Sequence, residues 1–370
     1  MTAPGATPTG NEQSSTPPQM REGTDDRPQG LARGTPPIAL LGGIHLDRLA
    51  HADRRILPDT STPGRIVARP GGVATNVAMV LARLGQRVRL FGRIGPDGDG
   101  VALSVMLSGL GIDISGVREG KSPTASYLAL HDPDGRLAAA IVDDAVTYEF
   151  GPDDLAAPQE GQGAGLMEAG IWFLDANLRA DTLERLSEIA GPREERQPGA
   201  RPFLAADAVS IAKARRLEPV LHRLDLLFAN HAEAAALAGI DGPADRLARA
   251  LVELQDGPLA AIVTDGEAGA VLAQGGGPIL HRPALPARLV DVTGAGDALT
   301  GGTLAGLASG LDLAQALDYG RAAAALTVEA TGAAPASLTL AALHLRLDAA
   351  EANEDIHQGT QSTEPGEIGP

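Results

Sequence analysis

The chain has 370 residues, 44% apolar but only 2% aromatic, so its core must rest on Leu, Val, Ile and Ala, and a nucleic-acid surface of stacked rings is disfavoured. A formal charge of −17 removes the basic footprint that DNA or RNA requires. The absence of cysteine rules out disulfides, thiolate zinc sites and cysteine nucleophiles, and suits a cytoplasmic protein.

Residues 1–36 are rich in Gly, Pro, Ser, Thr and charge and read as a disordered tail. They lack the basic start and apolar run of a secretory signal, and no stretch approaches the ~20 apolar residues that span a bilayer. Residues 350–370 read as a second, acidic tail, which leaves one folded unit at 37–349. Its first element, 38–44, is an apolar run ending in glycines, expected as a buried parallel strand with Asp47 at its mouth. Over 51–70 the apolar faces disappear, which marks an excursion with an edge strand at 66–68. A helix is expected over 77–84, a strand over 88–95 and a helix over 100–110. Segments 124–130 and 137–142 flank His131-Asp132-Pro133-Asp134-Gly135 as a hairpin, which with 51–70 could make a small sheet beside the main one. Strands at 171–175, 203–207, 224–230 and 259–264 alternate with helices at 179–189 and 232–238. Such alternation predicts an α/β fold, a mostly parallel sheet covered on both faces. Asp47, Asp175, Asp207, Asn230, Thr264 and Asp297 fall at or just past strand ends, on the edge where such sheets bind ligands.

Four stretches carry chemistry. Asp291-Val292-Thr293-Gly294-Ala295-Gly296-Asp297 reads as strand end, glycine turn and helix start, with Val290 and Val292 closing an extended segment. Free amides at a helix N-terminus favour an anion, and a carboxylate beside them is a candidate base for phosphoryl transfer; the alternative is a capping aspartate after an ordinary turn. Thr264-Asp265-Gly266-Glu267-Ala268-Gly269 offers close backbone approach to phosphates, or a plain turn. Asn230-His231-Ala232-Glu233 is either a capping box or a site where Glu233 holds Mg²⁺ through water. Gly71 and Gly72 let a ligand reach the backbone, while Asp47 and Asn76 supply an acceptor and a two-way amide for vicinal hydroxyls. No GxxxxGK[ST] occurs, so the phosphate site is not a P-loop, and no GxGxxG follows the first strand.

Together these stretches resemble the ribokinase-like (PfkB) carbohydrate kinases. Residues 70–78 are similar to the family's amino-terminal signature, 291–298 to its carboxyl-terminal one, and 230–233 to its NxxE motif. The resemblance implies a three-layer sandwich with a small β lid, from about 51–70 and 121–146. It implies Asp297 as base and the N–H groups of Gly294, Ala295 and Gly296 as stabilisers of the transferring phosphoryl group of ATP. Asp47, Gly72 and Asn76 would hold a ribose-like ring. Glu233 would act through Mg²⁺, Asn230, Thr264, Gly266 and Gly269 would line the ATP site, and Asp291 and Thr293 could serve a monovalent cation such as K⁺. Relatives that pair through the lid allow a homodimer. Within the family, 60–66, 124–128, 175–178 and 207–213 look like segments of pseudouridine kinases, although Thr62 stands where Asn is usual and Val142-Asp143-Asp144 departs from that subgroup. Phosphorylation of the 5′-hydroxyl of pseudouridine is the implied reaction; a ribokinase, other nucleoside kinase or sugar kinase is the alternative. Ser61, Thr124, Ser126 and Asp143 are the candidates for reading the base. Lid arginines Arg54, Arg55, Arg65 and Arg69 are expected to be solvated or to pair with nearby aspartates.

Overall fold

The computed structural model describes residues 36–155, 164–193 and 202–361, with side chains described to 352. Apart from Pro36, the tail expected at 1–36 lies outside them, as do residues 362–370. In the first half, β1 (Ile38–Leu41), β2 (His45–Ala52) and β3 (Gly64–Gly71) lead into α1 (Val73–Arg83). Then follow β4 (Val88–Ile94), α2 (Gly98–Gly109), β5 (Asp113–Glu119), β6 (Ala125–His131) and β7 (Leu137–Asp143). The second half begins with α3 (Ala164–Met167), β8 (Ile171–Asp175), α4 (Ala180–Ala190), β9 (Phe203–Asp207) and α5 (Ile211–Ala214). It continues through β10 (Leu226–Asn230), α6 (His231–Ala238), α7 (Ala244–Glu253), β11 (Ala260–Thr264), β12 (Ala270–Gln274) and β13 (Leu280–Arg282). Three helices close the fold: α8 (Ala295–Ala308), α9 (Leu313–Val328) and α10 (Leu340–Gln361), the last running past the boundary expected at 349.

The main sheet has nine strands in the order β13-β12-β11-β10-β9-β8-β1-β4-β5. From β5 to β11 every pairing is parallel, and β12 and β13 add antiparallel at one edge. Side chains alternate between faces, so both faces must be covered. Ile38, Leu40, Phe173, Phe228 and Ile262 join one core with residues of α1, α8 and α9. Ala39, Leu41, Trp172, Leu174 and Val263 join a second core with residues of α4, α6 and α7. Two cores on one sheet give the expected three layers.

The second sheet has four strands in the order β3-β2-β6-β7. The expected hairpin is β6–β7, and the expected edge strand is part of β3. One expectation changes. The run at 38–44 is not a single strand: β1 stops at Leu41, Gly42 and Gly43 turn the chain, and β2 starts the lid sheet at His45. Asp47 therefore stands on a lid strand, not at the mouth of β1. Among the described residues, no helix is long and apolar enough to cross a membrane.

Candidate active site

Strand order reverses around β1, so the carboxyl ends of β1 and β8 open a crevice. Asp175, fully buried at the end of β8, organises it. Its Oδ2 accepts the N–H of Gly43 at 3.1 Å and of Ala74 at 2.9 Å, and its Oδ1 accepts the N–H of Asn177 at 3.0 Å. Ala74 lies in the first turn of α1, whose N-cap, Gly72, has no side chain to offer. Asp175 thus caps α1 from another element, satisfying an amide that the helix itself leaves free. These partners lie 101 and 132 residues away in sequence, so no local motif announces the role. Gly72 is at φ 91, and a Cβ there would meet the Gly43 carbonyl at 2.4 Å.

At the far side of the crevice, α8 starts at Gly294 in the left-handed region, with no side-chain cap. The chain before it is irregular, not the expected strand; the N–H groups of Val290 and Asp291 both donate to the Val328 carbonyl, at 2.7 and 3.2 Å. Of the three amides expected to face an anion, that of Ala295 is engaged by the Val292 carbonyl at 3.2 Å. Gly296 and Asp297 hold the free first-turn positions. Asp297 Oδ2 accepts a hydrogen bond from Asn76 Nδ2 at 2.7 Å, which joins α8 to α1. Burial pushes the Asp297 carboxyl up to about 7; the Asn76 bond opposes the shift, while the charges of Asp175, Asp47 and Glu233 add to it.

Strand register sorts the lid sheet. His45, Asp47, Gly71, Arg69, Ala125 and Tyr127 are opposed across β2, β3 and β6 and share one face of the lid. A Cβ on Gly71 would lie 2.1 Å from Asp47 Oδ2, so only glycine leaves room for that carboxylate. Burial pushes Asp47 up to about 6, with Arg69 pulling the other way. Three polar atoms here, Asp47 Oδ1, Asn76 Oδ1 and His45 Nε2, are buried without a hydrogen-bond partner among the described residues. Burial also lowers the pKa of His45. Beside His45, Lys213 Nζ donates to Asn177 Oδ1 at 2.7 Å and to Asp144 Oδ2 at 3.0 Å.

The residues expected to read a base do not converge there. Asp143 is opposed to Ser126 and Leu46, hence on the other face of the lid, and is exposed. Ser126 accepts from Arg48 and donates to the Leu46 carbonyl. The Thr124 hydroxyl is buried, donating to Asp97 Oδ1 at 2.5 Å and accepting the Gly95 N–H at 2.9 Å. Ser61 is exposed in the β2–β3 connection.

At the carboxyl end of β10, Asn230 and Glu233 form a complete capping box: the Asn230 side chain accepts the Glu233 N–H at 3.0 Å, and Glu233 Oε2 accepts the Asn230 N–H at 2.9 Å. Burial raises Glu233, and burial with the charges of Glu233 and Asp297 drives Asp207 well above the usual carboxylate range. Thr264 ends β11 half-buried, and Gly266 stands open at φ 55. Gly269 has a packing reason instead, since a Cβ would lie 2.1 Å from the Arg282 carbonyl. The Asp291 carboxylate accepts the N–H groups of Thr293 at 2.9 Å and Gly332 at 3.1 Å, and Arg69 Nη1 lies 3.9 Å from it. Among the described residues, no group of three His, Cys, Asp or Glu side chains converges as a direct metal cage.

The chain is 26% identical over 364 residues to a pseudouridine kinase of Arabidopsis thaliana, covering 81% of this chain and 93% of that one. It is 32% identical over 258 residues to a fructokinase of Klebsiella pneumoniae, covering 69% and 81%. A solved carbohydrate kinase from Agrobacterium tumefaciens superposes with a TM-score of 0.71 at 33% identity, over 85% of this chain and 97% of that one. A solved ribokinase from Thermotoga maritima superposes with a TM-score of 0.71 at 23% identity, over 85% of this chain and 99% of that one, so the fold is ribokinase-like. The model of the pfkB family of carbohydrate kinases matches residues 38–340. That match spans both sheets and runs past α9, and the chain belongs to the PfkB family of carbohydrate kinases.

Proposed function

We propose that the chain transfers the γ-phosphoryl group of ATP to the 5′-hydroxyl of pseudouridine. The supporting observation is Asp297, held by Asn76 at the open end of α8 with its carboxyl raised to about 7. A carboxylate of that basicity can accept a hydroxyl proton near neutral pH as the oxygen attacks phosphorus. The first-turn amides of α8 face the charge that develops on the transferring group. Asp47 Oδ1, Asn76 Oδ1 and His45 Nε2, buried and unpartnered, suit a polyhydroxylated ring whose hydroxyls satisfy them. Mg²⁺ fits the carboxylates of Asp207 and Glu233, hard oxygen donors whose burial, with the Glu233 charge acting on Asp207, asks for a cation. Glu233 would hold it through water, and the ion would neutralise nucleotide phosphate charge.

A second reading, a kinase of ribose, fructose or another nucleoside, draws on the fructokinase likeness and on a lid whose Ser61, Thr124 and Asp143 do not line the Asp47 face. The test is ADP release with pseudouridine, uridine, adenosine, ribose, fructose and fructose 6-phosphate in the presence of Mg²⁺. Pseudouridine is expected to give the highest kcat/KM. Equal or better turnover of another acceptor overturns the assignment and identifies the right one.

A further inference from the structure

Arg69 lies on the lid strand β3, directly opposed to Asp47 on β2. It shares the acceptor-facing side of the lid, yet its guanidinium reaches the loop that leads into α8. Nη1 stands 3.9 Å from Asp291 Oδ2, and both side chains are largely shielded, 18% and 21% exposed. A Cβ on Gly332 would lie 3.3 Å from the same nitrogen, so the arginine fits against the 330s as well. Asp291 stands where a monovalent cation was expected, and its surroundings do not fit one. Its Oδ1 accepts the Thr293 N–H and its Oδ2 the Gly332 N–H. An alkali ion needs oxygens converging on it; here N–H donors converge on the carboxylate and a fixed positive charge stands beside it. Thr293 adds only its amide to the carboxylate, and the residue is exposed.

We propose that Arg69 is the resident cation of this site, carried in by the lid, and that phosphoryl transfer by this chain is independent of monovalent cations. Asp291 is three residues before Gly294, so its charge opposes an anion at the helix terminus unless neutralised. An arginine brings its positive charge on a protein side chain and needs no shell of converging oxygens. Because β3 also carries Gly71 against Asp47, the strand that closes on the acceptor delivers the charge. Arg69 is thus a positioning residue that acts through Asp291.

The rate arm of the test rests on the kinase reading; the binding arm does not. Wild type, Arg69→Ala and Arg69→Lys are compared in KCl, NaCl and N-methyl-D-glucamine chloride at equal ionic strength. Wild-type kcat with its best acceptor is expected to vary by no more than about twofold across the salts. Arg69→Ala is expected to lose about 10–100-fold in kcat without potassium and to regain about tenfold with it, while Arg69→Lys keeps the wild-type pattern. Thermal unfolding with a non-hydrolysable ATP analogue should show a saturable, potassium-specific rise for Arg69→Ala and none for wild type. Potassium activation or a potassium-specific thermal shift of wild type overturns the proposal, as does an Arg69→Ala variant that folds but ignores potassium. If no acceptor is phosphorylated, the kinase reading fails, and the thermal shifts alone decide the cation question.

Discussion

Asp297 meets two demands that pull in opposite directions. Burial and neighbouring acids raise its carboxyl to about 7, which makes it a better base, but a charged carboxylate in that place weakens the fold. Asp297→Asn should lower kcat by about 10³-fold with nucleotide affinity nearly unchanged, measured by ADP release and calorimetric binding. Wild-type kcat/KM should rise with pH to a plateau above about 7, a limb that the variant lacks. The stability sign follows from linkage: a carboxyl raised on folding holds its proton more tightly in the folded state. Its favourable contribution is whole below the ordinary carboxylate value of 3.8 and is lost as pH rises through about 7. The Asn variant should therefore gain Tm over wild type as pH goes from 4 to 8. A gap that shrinks over that range contradicts the assigned shift.

At the scale of elements, periodicity revealed what was strongly patterned. The strands at 171–175 and 203–207 were legible because they are short apolar runs buried on both faces. β5 was not, because Asp113–Glu119 is a half-exposed edge strand without a clean apolar face. The strand expected before Gly294 failed because Val290 and Val292 imitate an extended run, yet their segment bonds to the end of α9 instead of to a sheet. Asp47 was found but misplaced, since Gly42 and Gly43 divide one apolar run between two sheets. The role of Asp175 was hidden because every partner beyond Asn177 comes from a distant element. Asp175→Ala strands the buried amides of Gly43 and Ala74 and should cost about 3 kcal/mol, read by denaturant unfolding. A loss below about 1 kcal/mol would show that α1 does not depend on this cap.

Over the whole molecule, the lid and the three-layer body meet through charged and polar pairs. Arg69 on β3 approaches Asp291 before α8, and Arg48 on β2 donates to Asp99 of α2 at 2.6 Å, while within the body Asn76 of α1 holds Asp297 of α8. On the kinase reading, a ligand that holds the lid against the body would ready the crevice for its partner. A non-hydrolysable ATP analogue and the true acceptor together should raise Tm by more than the sum of their separate shifts. Simple additivity would mean that the two halves of the crevice are uncoupled.

The contact between Gly42 and Asp175 has a consequence for how this sequence can drift. A Cβ at position 42 would sit 2.2 Å from the Asp175 carboxyl carbon, so neither position can be varied without regard to the other. Gly42→Ala should be severe beside Asp175 and milder beside Asp175→Gly, a non-additive pair worth about 1–3 kcal/mol in a double-mutant cycle. Additive losses would refute the coupling. A side chain at 42 then needs a smaller residue at 175, and the turn from main sheet to lid is bound to the residue that braces it.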